Sequence, residues 1–203
     1  SPLDDLRHHK NILKSVWKGN IITAFRPDEV VNPSAQNFTE NVEELGQLTH
    51  ENCKTWHGYL NALYSRREFF KSFGATSTDH GHPSAFTADI EKNECEKLFS
   101  KALKGNLDDS EAELFRGQML TEMAKMSLDD GLVMQLHPGS FRNHNSELFL
   151  KFNSDKGADI PQPTNYVHGL RPLLNRFGNE EKLTLILFTL DESTYSRELA
   201  PLA

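Results

Sequence analysis

Four polar residues, of types that bind metals or carboxylates, lie at or shortly after the ends of apolar stretches: Arg26, Asp79, His137 and Arg142. Imidazole nitrogens and carboxylate oxygens are common ligands of divalent metals. A planar guanidinium can hold a carboxylate through two parallel charge-assisted hydrogen bonds. The residue types therefore indicate a site that binds a metal ion and an acidic small molecule.

Three of these residues also have an ordinary structural interpretation. Arg26 precedes a proline and could cap a strand and pair with a surface acid. Asp79 could be a helix N-cap or a turn former, and His137 taken alone could be a core histidine bonded to a backbone carbonyl. The coincidence of three strand ends favours a site, because unrelated polar residues would not gather at one end of a sheet.

The apolar stretches are predicted to be strands, and each follows a helix-like segment. The strands are predicted at NIITAF (20 to 25), ATST (75 to 78), LVMQL (132 to 136) and LTLILF (183 to 188). The preceding segments each close near a glycine, the residue that favours a left-handed helix C-cap: Gly19, Gly74, Gly131 and Gly178. This organisation predicts a series of long β-α units.

Helical periodicity fills the segments between the predicted strands. Residues 55 to 73 repeat apolar side chains at steps of three and four, as one buried helix face requires. In the next long segment Ser110 is followed by Glu113, a pattern that predicts a capping box. The methionines that follow form a stripe, which we interpret as core packing.

Strands that alternate with helices are expected to pair in parallel. The unbroken apolar run at 183 to 188 is typical of a parallel strand that is buried on both faces. In parallel α/β folds, the side chains at the carboxyl ends of the strands converge. We therefore predict an α/β fold of four parallel strands, of which the first three deliver Arg26, Asp79, His137 and Arg142 to one cleft.

The composition excludes several classes of function. The chain of 203 residues has a formal net charge of -7 and lacks a basic block, which argues against nucleic-acid binding. Its apolar runs are far shorter than a membrane span. Cys53 and Cys95 show neither a CxxC spacing nor the number needed for a disulfide framework, so free thiols in a reducing cytoplasm are expected.

Longer stretches of the sequence resemble a known enzyme family. They are TAFRPDEV, FFKSFGATSTDHGHPSA, the stretch from EAELFRGQML through LVMQLHPGSFRNHN, DKGADIP and LTLILFTLDESTYSRELAPLA. In these stretches the chain resembles uronate isomerase, also called glucuronate isomerase, of the amidohydrolase superfamily. The resemblance implies part of a (β/α)8 TIM barrel. It also implies aldose-ketose isomerisation of D-glucuronate to D-fructuronate and of D-galacturonate to D-tagaturonate, with a divalent metal, usually zinc, at the barrel mouth.

The resemblance also implies roles for individual residues. His137 in QLHPG matches a metal ligand, and Asp79 in TDHG matches an active-site carboxylate. Arg142 in GSFRNHN and Arg26 in FRPDE match arginines that contact the substrate. Asp79 and Arg142 are therefore the expected catalytic residues, and both arginines are expected to bind the uronate.

Two metal-binding features of the family have no counterpart in this chain: its first-strand HxH pair and its last-strand aspartate. No metal role is therefore carried over to His80 and His82, which follow a later strand. Four β-α units make half of an eight-unit barrel. Residues 1–203 are thus expected to be one segment of a TIM-barrel domain from a longer chain, inactive when isolated.

The expected partner is a hexuronate sugar, and neither nucleic acid nor a membrane is expected. Open sheet edges of a half-barrel could pair with further copies of the chain, so a homo-oligomer is also expected. Two other functions stay open: a metal-dependent hydrolase of the same superfamily, and a non-catalytic half-barrel of purely structural interest.

Overall fold

The computed structural model describes residues 1–154 and 156–202. It contains a three-stranded parallel sheet and a short two-stranded antiparallel sheet. The strands are β1 (Ser77–His80), β2 (Val133–Leu136), β3 (Ser140–Phe141), β4 (Ile160–Pro161) and β5 (Leu185–Leu187). The helices are α1 (Arg7–Leu13), α2 (Asp28–Val31), α3 (Phe38–Thr49), α4 (Trp56–Ser72), α5 (Lys92–Ala102), α6 (Asp109–Asp130), α7 (Ser146–Phe152), α8 (Tyr166–Gly169), α9 (Arg171–Phe177), α10 (Glu192–Thr194) and α11 (Ala200–Leu202). A π-helical turn, Tyr195–Leu199, joins the last two helices. In the described part of the chain no helix is long and apolar enough to cross a bilayer.

The parallel sheet has the order β1-β2-β5. On the other side of β1, Phe25 forms a single parallel bridge with Thr78: Phe25 donates its N–H to Ser77 O, and Asp79 donates to Phe25 O, both at 3.0 Å. The predicted parallel pairing in chain order is therefore confirmed. The predicted strand at 20 to 25 is wrong in extent, since only its last residue pairs with the sheet.

The two faces of the sheet have different environments. The side chains of His80, Met134 and Leu136 are fully buried and point toward the helices. On the opposite face Ile186 is 41% exposed, and Phe188, just beyond β5, is 47% exposed. The prediction that the 183 to 188 strand is buried on both faces is therefore wrong, because the helices cover one face only. The other face, which includes Asp79, is open.

Aromatic packing holds the helices over the covered face. The rings of Tyr59 in α4 and Phe99 in α5 are stacked with their centroids 4.6 Å apart. Trp56 lies edge-on to Phe99 at 5.7 Å and to Phe115 of α6 at 6.2 Å. Such pairs contribute about 0.5–1.5 kcal/mol each beyond the area that they bury. These contacts therefore hold α4, α5 and α6 together as the helical layer that covers one face of the sheet.

The helix ends agree with the prediction at two of the four glycines. Gly131 caps α6 with a φ of 76° and Gly74 follows α4 with a φ of 85°, both left-handed. Gly178 caps α9 in a right-handed conformation, and Gly19 does not follow a helix end, because α1 already stops at residue 13.

The capping box of α6 lies two residues before the predicted one. The Asp108 side chain accepts from the Glu111 N–H, and the Glu111 side chain accepts from the Asp108 N–H. The prediction from Ser110 and Glu113 is therefore wrong. Because the helix begins at Asp109, Ser110 already lies inside its first turn.

A fully buried arginine ties α4 to the C-terminal end of α6, which leads into β2. Arg67 donates from Nε to Asp130 Oδ2 at 2.6 Å and from Nη2 to Asp130 Oδ1 at 2.9 Å. Its Nη2 also donates to Ser127 Oγ at 3.0 Å. Asp130 Oδ1 in turn accepts from the Leu132 N–H at 3.0 Å, immediately before the strand. This pair helps to set the position of β2.

Replacing this arginine should destabilise the protein strongly. In Arg67→Met, Asp130 stays buried without its partner, so we expect the free energy of unfolding to fall by about 3–5 kcal/mol. Urea denaturation measures the change. The matched control is Lys92→Met, which breaks an exposed ion pair with Glu96 and should change the stability by less than about 1 kcal/mol. Equal effects of the two substitutions would contradict a structural role for the buried pair.

Candidate active site

Adjacent parallel strands bring Asp79 and His137 into contact. Asp79 lies in β1 and His137 directly follows β2, whose residues pair in register with those of β1. The His137 N–H donates to His80 O at 3.1 Å and extends this pairing by one step. The ring Nε2 of His137 then lies 2.9 Å from Asp79 Oδ1. Both side chains are about one-quarter exposed on the open face.

Arg26 completes this group from the segment beside β1. Its Nη1 lies 3.4 Å from Asp79 Oδ2, so the two carboxylate oxygens of Asp79 face different partners. The bridge between Phe25 and Thr78 places the arginine there. Three of the four predicted site residues are therefore in direct contact: Arg26, Asp79 and His137.

The surroundings of Asp79 favour its ionised form. The hydrogen bond with His137 lowers the pKa of the Asp79 carboxyl group; partial burial opposes the shift, and the charge of Arg26 supports it. A carboxylate that accepts a hydrogen bond from an imidazole also fixes which ring nitrogen carries the proton. Asp79 therefore directs the other ring nitrogen of His137, Nδ1, away from itself.

Two residues that sequence analysis missed support Arg26. Asp28 Oδ2 accepts from Arg26 Nε at 2.7 Å, and the Gly81 N–H contacts both oxygens of Asp28 at 3.1 and 3.2 Å. A Cβ at Gly81 would clash with Arg26 Nη2 and would lie 2.7 Å from Asp28 Oδ2 and 3.2 Å from His137 Cε1. Only glycine allows these groups to approach so closely. The available signal was the sequence RPD, which places an acid two residues after the arginine.

Arg142 lies beside this group rather than within it. Its Nε donates to Asp159 Oδ1 at 2.6 Å. It shares a cavity of about 400 Å³ with Arg26, and the lining residues are Arg26, Arg142, Asn143, Lys156, Gly157, Ala158 and Asp159. Three basic side chains against one acidic side chain give this cavity a positive lining. It is suited to a small acidic ligand of the size of a sugar acid.

Comparison with known proteins identifies the family. The family model described as glucuronate isomerase matches residues 1–203. The chain belongs to the uronate isomerase family. It is 59% identical over 203 residues to the uronate isomerase of Xanthomonas axonopodis pv. citri and 58% identical to that of Phenylobacterium zucineum. All of this chain is matched, against 43% and 42% of those two proteins. The chain thus spans less than half the length of the curated relatives it matches.

Solved structures of the uronate isomerase family have the same fold in the matched region. The crystal structure of glucuronate isomerase from Caulobacter crescentus superimposes with a TM-score of 0.94 at 54% identity, covering 99% of this chain and 42% of that one. The uronate isomerase from Thermotoga maritima gives a TM-score of 0.89 at 30% identity, with coverage of 96% and 43%. These matches span β1, β2 and β5 together with the helices that cover them.

His80, the last residue of β1, and His82, two residues later, are buried in the core of this family member. Burial lowers the pKa of His82 to about 4 and that of His80 well below its usual value. Thr78 Oγ1 and His80 Nε2 are hydrogen-bonded at 2.9 Å. Within the described ranges, His80 Nδ1 and His82 Nε2 have no hydrogen-bond partner. Burial therefore favours the neutral form of both histidines, and the His80 side chain lies on the covered face of the sheet rather than beside His137 on the open face.

A metal ion would find only part of a ligand set among the residues that the structure describes. Among residues 1–154 and 156–202, no three His, Cys, Asp or Glu side chains are grouped to hold one. His137 fits the role of a single ligand, because Asp79 holds its Nε2 and leaves Nδ1 for a metal. A carboxylate behind a ligating histidine is the usual outer support of such a ligand.

Proposed function

We propose that this chain supplies the central β-α units of a (β/α)8 barrel that isomerises hexuronates. Its parallel strands run in chain order with helices on one face, and the open face corresponds to the inside of a barrel whose remaining units lie elsewhere in the full-length enzyme. The reaction is the conversion of D-glucuronate to D-fructuronate and of D-galacturonate to D-tagaturonate. The observation that carries this proposal is the contact of Asp79 with both His137 and Arg26 next to an arginine-lined cavity.

The arginines are proposed to bind the substrate. A hexuronate has a carboxylate at C6 and a carbonyl at C1, so an isomerase must hold the acid end while the other end reacts. Arg142 would hold the carboxylate, since a guanidinium can donate two parallel hydrogen bonds to it. Arg26 lies between the cavity and Asp79 and would contact a substrate oxygen nearer to the reacting carbons. The cavity then sets the direction in which the sugar extends.

Asp79 is proposed as the catalytic carboxylate. Isomerisation moves a proton from C2 to C1 through an enediol, which requires a base and stabilisation of the developing oxyanion. Asp79 is ionised, but its lowered pKa makes it a weak base. It can take a C2 proton only when the neighbouring carbonyl is strongly polarised. Arg26, paired with the same carboxylate, can stabilise negative charge on the substrate oxygen.

His137 is proposed as one ligand of a divalent metal, which we expect to be zinc. The metal, when bound, would polarise the substrate carbonyl as a Lewis acid. His137 would hold it through Nδ1, while the bond from Nε2 to Asp79 keeps the ring in one orientation. Since no three such side chains are grouped among the described residues, the rest of the ligand set is proposed to come from other parts of the full-length enzyme.

The two free cysteines of the chain are consistent with a reducing compartment. Cys53 and Cys95 are free and buried, and burial raises the pKa of each thiol to about 11. Such thiols are unreactive and need no oxidising environment. We propose a cytoplasmic location for the enzyme.

The proposed activity is tested by supplying sugars that differ in the acid group. The full-length enzyme with zinc should convert D-glucuronate to its ketose. D-glucose, which lacks the carboxylate, should react with an efficiency lower by about ten thousandfold, because the arginines would be left unpaired. Ketose formation is measured by NMR. Conversion of both sugars at similar rates, or of neither, would exclude a uronate isomerase that recognises the acid.

A further inference from the structure

Arg142 is held by one of its three guanidinium nitrogens. Nε donates to Asp159 Oδ1 at 2.6 Å. Ser140 Oγ donates to the same oxygen at 3.1 Å, so the position of the aspartate is also fixed. Among the residues that the structure describes, Nη1 and Nη2 of Arg142 have no hydrogen-bond partner. The outer edge of the guanidinium is therefore available to a ligand in the cavity.

The backbone brings Asp159 to this place from a distant part of the chain. The β3–β4 pair aligns Ser140 with Pro161 and Phe141 with Ile160, and the Gln162 N–H donates to Gly139 O at 2.8 Å. Gly139 has a φ of 90°, and a Cβ there would lie 3.0 Å from the Thr164 side chain. The two segments thus meet closely at the base of the pair, and its open end carries Arg142 and Asp159.

The ion pair contributes little to stability, which makes a purely structural role a poor explanation for it. The side chains of Arg142 and Asp159 are 40% and 55% exposed, and exposed ion pairs are only weakly stabilising. The geometry of the Arg142–Asp159 pair does determine how Arg142 can bind a carboxylate. With Nε occupied, a carboxylate can form two parallel bonds only with Nη1 and Nη2, that is, with the end of the guanidinium rather than its side.

Arg26 has the same arrangement on the other side of the cavity. Its Nε donates to Asp28, and its terminal nitrogen Nη1 faces Asp79. In both arginines Nε donates to an aspartate, and both side chains line the same cavity. The repeated geometry indicates that the direction of each guanidinium matters for the ligand.

We propose that Asp159 is a positioning residue: by holding Nε of Arg142 it presents the two terminal nitrogens end-on to the substrate carboxylate. This inference rests on the proposed function, in which Arg142 binds that carboxylate. Asp159 carries a negative charge, so it would not itself bind the substrate carboxylate. Its effect must therefore pass entirely through Arg142, and this requirement makes the proposal testable.

The first test is a double-mutant cycle in the full-length enzyme. Asp159→Asn should raise KM for D-glucuronate about five- to tenfold with a smaller change in kcat, because a neutral amide holds the guanidinium less firmly. In the Arg142→Lys background the same substitution should have almost no effect, since the group that it positions is gone. An equal increase in KM in both backgrounds would overturn the proposal.

The matched control is Asp89→Asn, which weakens a similarly exposed aspartate–arginine pair with Arg176. That pair lines a different cavity, with Trp56 and Leu60. The control should leave KM unchanged. A rise in KM equal to that of Asp159→Asn would mean that the effect is not specific to the arginine of the site.

A second measurement is independent of activity. A crystal structure of Asp159→Ala should show the Arg142 guanidinium displaced or in several positions, with β3 and β4 still paired. An unchanged Arg142 would overturn the positioning role even if the enzyme isomerises uronates. If the unmodified enzyme converts no hexuronate but Arg142 moves as expected, the proposed function fails and the positioning of Arg142 by Asp159 stands.

Discussion

Arg142→Lys should lower kcat/KM for D-glucuronate by about thirtyfold to a thousandfold in the full-length enzyme, because the loss of a charge-assisted interaction in a binding site costs about 2 to 4 kcal/mol. Lysine keeps the positive charge but lacks the planar pair of donors. The loss should fall mainly on KM if Arg142 binds the carboxylate equally in the ground and transition states. Steady-state kinetics with D-glucuronate separate the two constants.

The control for this substitution is Arg171→Lys, at the exposed start of α9. Arg171 does not line the cavity that contains Arg26 and Arg142, so the control should keep normal efficiency. Near-normal efficiency of Arg142→Lys as well would mean that the segment after β2 is a structural strand end, and the assignment of Arg142 would have to be withdrawn.

His137→Asn should lower activity and bound metal together. Replacing an imidazole ligand should weaken metal binding by about a hundredfold or more, and part of the activity should return when zinc is supplied in excess. Metal content is measured by elemental analysis of the purified enzyme beside the isomerase assay. The metal content distinguishes the role of His137 from that of Arg142, because substitution of Arg142 should leave the metal content unchanged.

The control for the metal prediction is His57→Asn in α4. His57 is exposed and lines a cavity with Trp56 and Cys95 rather than the site. It should keep full metal and full rate. If His137→Asn keeps both as well, His137 is not a ligand, and its bond to Asp79 has only an orienting or structural purpose.

The part of the site that could be predicted from sequence is the part fixed by strand order. Asp79 lies in one parallel strand and His137 follows its neighbour, so their contact follows from the convergence of strand ends. The supports of the arginines were not predictable in the same way. Asp159 is far from Arg142 in sequence and meets it only because β3 and β4 pair. Gly81 is identified only by the clash that a side chain would cause.

The errors in the predicted fold also have physical causes. NIITAF has the composition of a strand, but in the described chain only Phe25 finds a partner, on the β1 side, and isolated pairing is too weak to order a whole strand. At the start of α6 two overlapping patterns match a capping box, and sequence cannot decide between Asp108 and Ser110. The apolar run 183 to 188 indicated a buried strand but could not indicate that one face is left open.

The measurement that tests the account most directly is a crystal structure of the full-length enzyme with a hexuronate that cannot isomerise, such as an acid reduced at C1. We expect the sugar carboxylate to accept hydrogen bonds from Nη1 and Nη2 of Arg142, and the C2 end of the sugar to lie beside Asp79 and His137. A sugar bound elsewhere, or bound in the cavity with its carboxylate away from Arg142, would contradict the account.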